Sequence, residues 1–177
     1  MADAQFYGVM TYKLVSRCYV SKRISAVRLC FNSFCLLLMS VYMPYEGEEF
    51  RTDDYAEQLA IIDILIEANT DCHVVIAGDF NVDLSRQRIH TAMLQSFCND
   101  VGVSPVALHQ SAKFDYSYHF GMSRFNLIDH FLSSDTLFSK AVNCAYVVHD
   151  VDNTSDHEPI FCNSTWMLNS LGLLIAS

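Results

Sequence analysis

The chain alternates apolar runs with polar clusters, and the runs differ in kind. Residues 34–43, "FCLLLMSVYM", are almost continuously apolar, the pattern of a strand covered on both faces. Pro44 ends that run because proline has no amide to give to a ladder, and a polar loop, "YEGEEFRT", follows. Over residues 53–69 the period becomes helical. Tyr55, Leu59, Ile62 and Ile66 recur at spacings of four, three and four, with Ile61 and Leu65 widening the stripe. Thr52, Asp53 or Asp54 is placed to cap this helix, and Asp54 with Glu57 has capping-box spacing. Residues 72–78, "CHVVIAG", read as a buried strand closed by Gly78. A second helix is expected over about 87–101, on Ile89, Met93, Leu94, Phe97 and Val101. Residues 7–15 and 23–31 have strand composition, and 125–134, 141–150 and 158–162 read as further strands. Helices and strands alternate only between 42 and 101. The expected fold class is therefore an α/β sandwich, two mainly antiparallel sheets flanked by helices rather than one doubly wound sheet.

Composition narrows this picture. With 177 residues, 51% of them hydrophobic and 18% charged, the chain can bury a single core. Residues 1–165 read as one domain, followed by an apolar tail, 166–177, of unassigned role. Residues 34–43 are about half the length that spans a bilayer, the tail is also too short, and no secretory h-region opens the chain. The expected location is intracellular, nuclear or cytoplasmic, with no membrane and no stable protein partner. Seven cysteines (18, 30, 35, 72, 98, 144, 162) have irregular gaps and no metal-ligand spacing, so they read as reduced thiols, and zinc is not expected. A net charge of −9 counts against a polyanionic partner until its distribution is considered. Between Ala4 and Tyr45 there is no acidic residue, whereas Lys13, Arg17, Lys22, Arg23 and Arg28 all fall there. That stretch is either a phosphate-facing surface or an accident of surface strands, and a divalent cation can bridge an acidic site to a phosphate.

Two polar clusters interrupt the apolar pattern. "VVIAGDFNVD" delivers Asp79 and Asn81 two residues apart where a strand emerges, so that both point the same way with Phe80 opposed. An ordinary Asx-turn explains that pair equally well in isolation. Downstream, Asp129 lies among Leu127, Ile128, Phe131 and Leu132, where a carboxylate needs a partner, and "SDHEPI" supplies Asp156 and His157. These groups together are what metal-assisted phosphodiester hydrolysis requires: something to orient a water, something to stabilise phosphate charge, and oxygen ligands for a cation.

"SVYMP", "GDFN", "IDHFLSS" and "SDHEPI", in this order over 8–161, resemble the endonuclease/exonuclease/phosphatase superfamily (DNase I-like). That group includes abasic-site endonucleases, DNase I-like enzymes and phosphoinositide phosphatases. The wording, with Ser123 ahead of "IDHFLSS", is most similar to endonuclease domains of non-LTR retrotransposons. The resemblance implies a DNA substrate and Mg²⁺ or Mn²⁺, the ion weakly bound if at all because the family's metal-binding Glu is missing here. It assigns Asp79 to the attacking water, Asn81 and Tyr42 to the phosphate, and His157 to a non-bridging oxygen. Asp129 would orient His157, Asp156 would hold the metal or its water shell, and His130 would be structural. His73, His90, His109, His119 and His149 read as ordinary surface or core histidines, and "DYSYHF" (115–120) as core packing ahead of base stacking. The family pattern also has an early Asn and a metal-binding Glu before the tyrosine motif. Here the first Glu is Glu46 and Asn32 falls too late, so the first strands are expected to be missing. The resemblance thus leaves three outcomes open: a DNA endonuclease, a catalytically inactive relic, or a phosphatase of the same superfamily.

Overall fold

The apolar run at 34–43 becomes the buried middle of a sheet in the computed structural model, which describes residues 3–7, 14–31, 34–47, 51–108, 112–121, 124–134, 142–166 and 169–176. The chain runs through β1 (Asp3–Tyr7), β2 (Leu14–Val20), β3 (Ile24–Cys30), β4 (Cys35–Tyr42), α1 (Arg51–Glu67), β5 (Cys72–Asp79) and α2 (Ile89–Val101). Then come β6 (Val103–Pro105), β7 (Ala112–Lys113), β8 (Tyr118–Phe120), β9 (Arg124–Asn126), β10 (Asp129–Ser134), β11 (Val142–Val147), β12 (Ile160–Trp166) and β13 (Asn169–Ala176). One sheet has the order β2-β3-β4-β5-β10-β6 and a second the order β1-β13-β12-β11-β7; β8 and β9 pair by themselves. Pairing is antiparallel except for β4 with β5, joined through α1, and β11 with β7. Among the described residues no helix is long and apolar enough to cross a membrane.

Strand alternation sorts the core into two layers. Leu37, Met39 and Val41 of β4, Val74 and Ile76 of β5, and Leu132 of β10 pack with Tyr55, Leu59 and Ile62 of α1 and Leu94 and Phe97 of α2. Their neighbours Leu38, Ala77 and Phe131 face the other way and join Ala145, Val147 and Ile160 of the second sheet. Both helices therefore sit on the β4–β5 sheet. This periodicity decides the site: Asp79 and Asp129 fall in step with Ala77 and Phe131, on the inter-sheet side, while Phe80 and His130 fall on the helix side.

Three sequence expectations need correction. Helix α1 starts at Arg51, so the candidate caps Thr52, Asp53 and Asp54 lie inside its first turn, where the two carboxylates face the positive end of the helix dipole. Helix α2 starts at Ile89, which is 61% exposed; the expected Leu94 and Phe97 are buried and Met93 and Val101 pack against the core, joined by His90, Thr91 and Cys98 in place of Ile89. The segment 125–134 is not one strand. It breaks at Leu127–Ile128, because the amides of Ile128 and Asp129 both donate to the Ser117 hydroxyl (3.1 and 3.0 Å) rather than to a neighbouring strand. Residues 166–177, the apolar tail of the sequence, contribute β13, antiparallel to both β12 and β1.

Gly78 fixes how closely β4 and β5 approach. Its φ is +144°, and a Cβ there would meet the Val41 carbonyl oxygen at 2.0 Å. Gly78→Ala is expected to lower the unfolding free energy by about 2–4 kcal/mol, read as a fall in urea midpoint at unchanged m.

Candidate functional site

Tyr42 and Asp79 are register partners at the ends of the parallel strands β4 and β5, and Asp129 opens β10 directly opposite Asp79. The carboxyl ends of parallel strands are where ligands enter open α/β sheets, since both chains leave the sheet there. Asp79 is 4% exposed and Asp129 2%. Each needs partners, and the surrounding loops provide them.

Asn81 serves Asp79. Its backbone amide donates to Asp79 Oδ1 (2.7 Å) and its side-chain Nδ2 to Asp79 Oδ2 (3.0 Å). The same Nδ2 donates to the Met43 carbonyl (2.9 Å), tying the exit of β5 to the exit of β4. This demands a left-handed turn, and Asn81 adopts φ +52°, which asparagine tolerates better than most residues. The Asx-turn and the cluster are thus the same structure.

His157 serves Asp129, with Nδ1 3.0 Å from Oδ2. The loop carrying His157 is pinned at several points. Its amide donates to Ser155 Oγ (3.1 Å), its carbonyl accepts from Asn153 Nδ2 (2.8 Å), and its ring meets Tyr118 edge-on at 5.0 Å. The amides of His119 and Glu158 donate to the carbonyls of Asp156 and Ser117, at 2.9 and 2.7 Å. Ser117, fully buried, therefore fastens Asp129 through its hydroxyl and the His157 loop through its carbonyl. Sequence reasoning missed it, because a serine between tyrosines carries no pattern. It also misread "DYSYHF" as core: only Ser117 is buried, Tyr118 lies against His157, and Phe120 is 64% exposed.

The charges follow from this packing. Burial, and then the neighbouring Asp129 carboxylate, push Asp79 up from 3.8 to about 7, against the pull of the Asn81 amide, His157 and the Asn81 side chain. Burial alone would lower His157, but the Asp129 hydrogen bond and the charges of Asp129, Asp79 and Asp156 outweigh it and raise the imidazole above its ordinary value. Asp129 Oδ1 is buried with no hydrogen-bond partner. Asp156 is exposed. His130 is buried on the opposite face, its Nε2 2.7 Å from the Val82 carbonyl, and burial lowers its pKa.

Tyr42 is 54% exposed, with the Arg23 guanidinium 5.5 Å over its ring and donating to its carbonyl at 3.1 Å. A cleft of about 240 Å³ beside Asn81 is lined by Tyr45, Tyr118, Asn126, Arg86 and Arg88. Two histidines taken as ordinary have defined partners: His90 stacks on Tyr55 at 4.2 Å, and His149 Nε2 lies 3.0 Å from Asp115. Ser123, His109 and Asn32 lie outside the described residues. Among the described residues, the one group of three ligand atoms within 4.8 Å of one another is Cys35, Asp71 and Cys72, not the carboxylates of this site.

No family model and no curated protein matches the sequence. Solved structures do match the fold, which is that of endonuclease/exonuclease/phosphatase structures. The endonuclease domain of TRAS1, a telomere-specific non-LTR retrotransposon, superposes with a TM-score of 0.64 at 11% identity, over 97% of this chain and 78% of that one. The 3′ phosphatase NExo from Neisseria, bound to a product DNA hairpin, gives 0.66 at 14% identity, over 93% and 80%. The catalytic domain of Xenopus laevis APE2 gives 0.60 at 15%, over 85% and 54%.

Two measurements check the geometry. Ser117→Ala leaves two amides without their acceptor and is expected to lower stability by about 2 kcal/mol in urea unfolding. For Asp79, the folded state holds the proton more tightly than the unfolded chain, so stability falls as pH climbs from 3.8 to about 7. In EDTA, the Tm of Asp79→Asn minus that of the wild type should therefore become more positive between pH 5 and pH 8; a flat difference would remove the raised pKa.

Proposed function

We propose that this chain is a divalent-cation-dependent phosphodiesterase of the endonuclease/exonuclease/phosphatase superfamily, and that it cuts DNA as a retrotransposon-type endonuclease domain. The observation that carries this reading is the pairing of half-buried His157 with buried Asp129 beside Asp79, at the strand ends where Tyr42 and Arg23 are open to a ligand. Asp79 takes the proton of the attacking water, and a carboxyl raised to about 7 suits a general base at neutral pH. Asn81 spends its amide protons on Asp79 and Met43, so its first task is to hold that base in place. His157, oriented through Nδ1 by Asp129, leaves Nε2 to donate to a non-bridging phosphate oxygen as charge builds there. Tyr42 contacts the phosphate. Arg23 and Arg88 flank the site with positive charge that suits a nucleic-acid backbone, while Arg86 is paired with Asp83 at 3.2 Å, and the DNA hairpin on NExo and the retrotransposon origin of TRAS1 favour the same substrate class.

The donor set suits a hard cation. Asp156 offers an exposed carboxylate and Asp129 a buried, unpartnered Oδ1, both oxygen. Mg²⁺ keeps several waters and needs only one or two protein carboxylates, so Asp156 would hold it chiefly through its water shell. Once bound, the ion supplies charge neutralisation on the phosphate.

One observation favours the inactive-relic reading. Glu46, the first glutamate of the sequence, is occupied at α2, where Oε1 accepts from the Ile89 amide at 3.1 Å. Nicking of supercoiled plasmid separates the two readings. The endonuclease reading expects nicking in Mg²⁺, none in EDTA, and a loss of about 10²–10³-fold in His157→Ala. Folded protein, verified by circular dichroism, that neither nicks DNA nor releases phosphate from it would favour the relic. Release of phosphate from 3′-phosphorylated DNA ends without nicking would mark a phosphatase.

A further inference from the structure

At the end of β4 opposite the catalytic cluster, the fold gathers three cysteines that are far apart or irregularly spaced in sequence. Cys30 and Cys35 are direct register partners across the antiparallel β3–β4 pair, with Sγ atoms 2.7 Å apart. Cys35 in turn is the register partner of Cys72 across the parallel β4–β5 pair. All three are free thiols and part-exposed. From Cys35 to Tyr42 the strand climbs roughly 3.3 Å per residue, so the cluster stands about 23 Å from the phosphate-facing end.

The backbone places the first two thiols well for a bond. The Phe31 amide donates to the Phe34 carbonyl at 2.9 Å, closing the hairpin, and ladder alternation makes the adjacent Cys30–Cys35 pair the non-hydrogen-bonded kind. Such pairs have Cα atoms about 4.5 Å apart, within the range that disulfides span. Phe31 and Phe34 stack at 4.5 Å beside the same pair.

A cation already sits among these groups. Arg28 donates through Nε to Cys30 Sγ (3.4 Å) and through Nη2 to Asp71 (2.6 Å) and Cys35 Sγ (3.6 Å). Cys35, Asp71 and Cys72 approach closely enough to chelate a metal, but the guanidinium holds the position whose positive charge a soft cation would duplicate. A guanidinium beside a sulfur favours thiolate, the nucleophilic form.

We propose that Cys30 and Cys35 are a reversible dithiol–disulfide site, with Cys30 the attacking thiol and a low-molecular-weight disulfide of the glutathione type as oxidant. The Cys30 thiolate attacks one sulfur of the oxidant, whose S–S bond breaks and releases one glutathione thiolate. The Cys35 sulfur then attacks Cys30 Sγ, displacing the second glutathione, which takes the Cys35 proton. The two cysteines lose two electrons, and the oxidant gains them as two thiols. The asymmetry of the pair agrees with this order: the Arg28 hydrogen bond, helped by Cys35, lowers the Cys30 thiol, whereas the Cys30 contact and burial raise Cys35. Burial pushes Cys72 up to about 12, which keeps it a spectator.

The disulfide itself is tested on the full wild-type chain, and one variant tests the role of Arg28. Reduced protein is equilibrated in glutathione redox buffers, quenched with iodoacetamide, cut with trypsin and mapped by mass spectrometry. Cleavage after Arg28 and Arg51 leaves both cysteines in one peptide, which should appear unalkylated and two hydrogens lighter as the buffer becomes oxidising. In reduced protein, Cys30 should alkylate faster than Cys18 or Cys162, and Arg28→Gln should slow it roughly tenfold, as for a rise of one unit in its pKa. A Cys35–Cys72 or intermolecular linkage, or Cys30 alkylating no faster than Cys18, would overturn the proposal. So would uptake of one equivalent of Zn²⁺ that leaves both thiols unreactive toward glutathione disulfide.

Discussion

Strand β10 lies antiparallel to β5 in a register that sets Asp129 opposite Asp79, and strand alternation turns both carboxylates toward the interior between the sheets. Two such groups, side by side and shielded from water, do not both carry charge without help. Much of the surrounding irregular structure answers that constraint. The left-handed turn at Asn81 brings an amide and a side chain to Asp79. The loop ending at His157 brings an imidazole to Asp129, and Ser117 fastens that loop and the start of β10 together. A slip of β10 by one residue against β5 would carry Asp129 to the helix face, away from Asp79 and His157. The register of an ordinary antiparallel pair is therefore also the specification of the site.

How much of this was readable beforehand depended on whether a residue's role is local. The run at 34–43, the stripe in α1 and the buried strand ending at Asp79 announce themselves, because burial on one face or two leaves a periodicity in the residues themselves. Asp79, Asn81, Asp129 and His157 stood out as polar groups at strand ends or within apolar runs, Tyr42 through the family resemblance alone, and the fold brings the first four into contact in two pairs. What stayed hidden is tertiary. Leu127 and Ile128 continue an apolar run and conceal the break that Ser117 imposes. Ser117 works through two backbone amides eleven and twelve residues away. The cysteines look unrelated until two register relations align them.

The basic stretch before Tyr45 shows how a sequence feature can divide in three dimensions. Because β3 runs antiparallel to β4, Arg23 arrives beside Tyr42 while Arg28 arrives beside Asp71 and the thiols. One arginine faces the oxygen-rich end of the β4–β5 pair and the other its sulfur-rich end. Between them lie Leu37, Met39, Ile76 and other buried apolar side chains, which insulate one chemistry from the other.

The wide spacing of the site residues has a consequence for the order of folding. The β4-α1-β5 unit brings Tyr42 and Asp79 together through a connection of moderate length. The pairing of His157 with Asp129 waits for β10, the β8–β9 hairpin and the approach to β12. Closing such distant contacts costs chain entropy that only the assembled sheets repay, so these elements complete late. A partly folded chain can thus hold Asp79 and Asn81 in their native turn and still lack the imidazole. The four side chains Asp79, Asn81, Asp129 and His157 come together as a set only with the last long-range contacts.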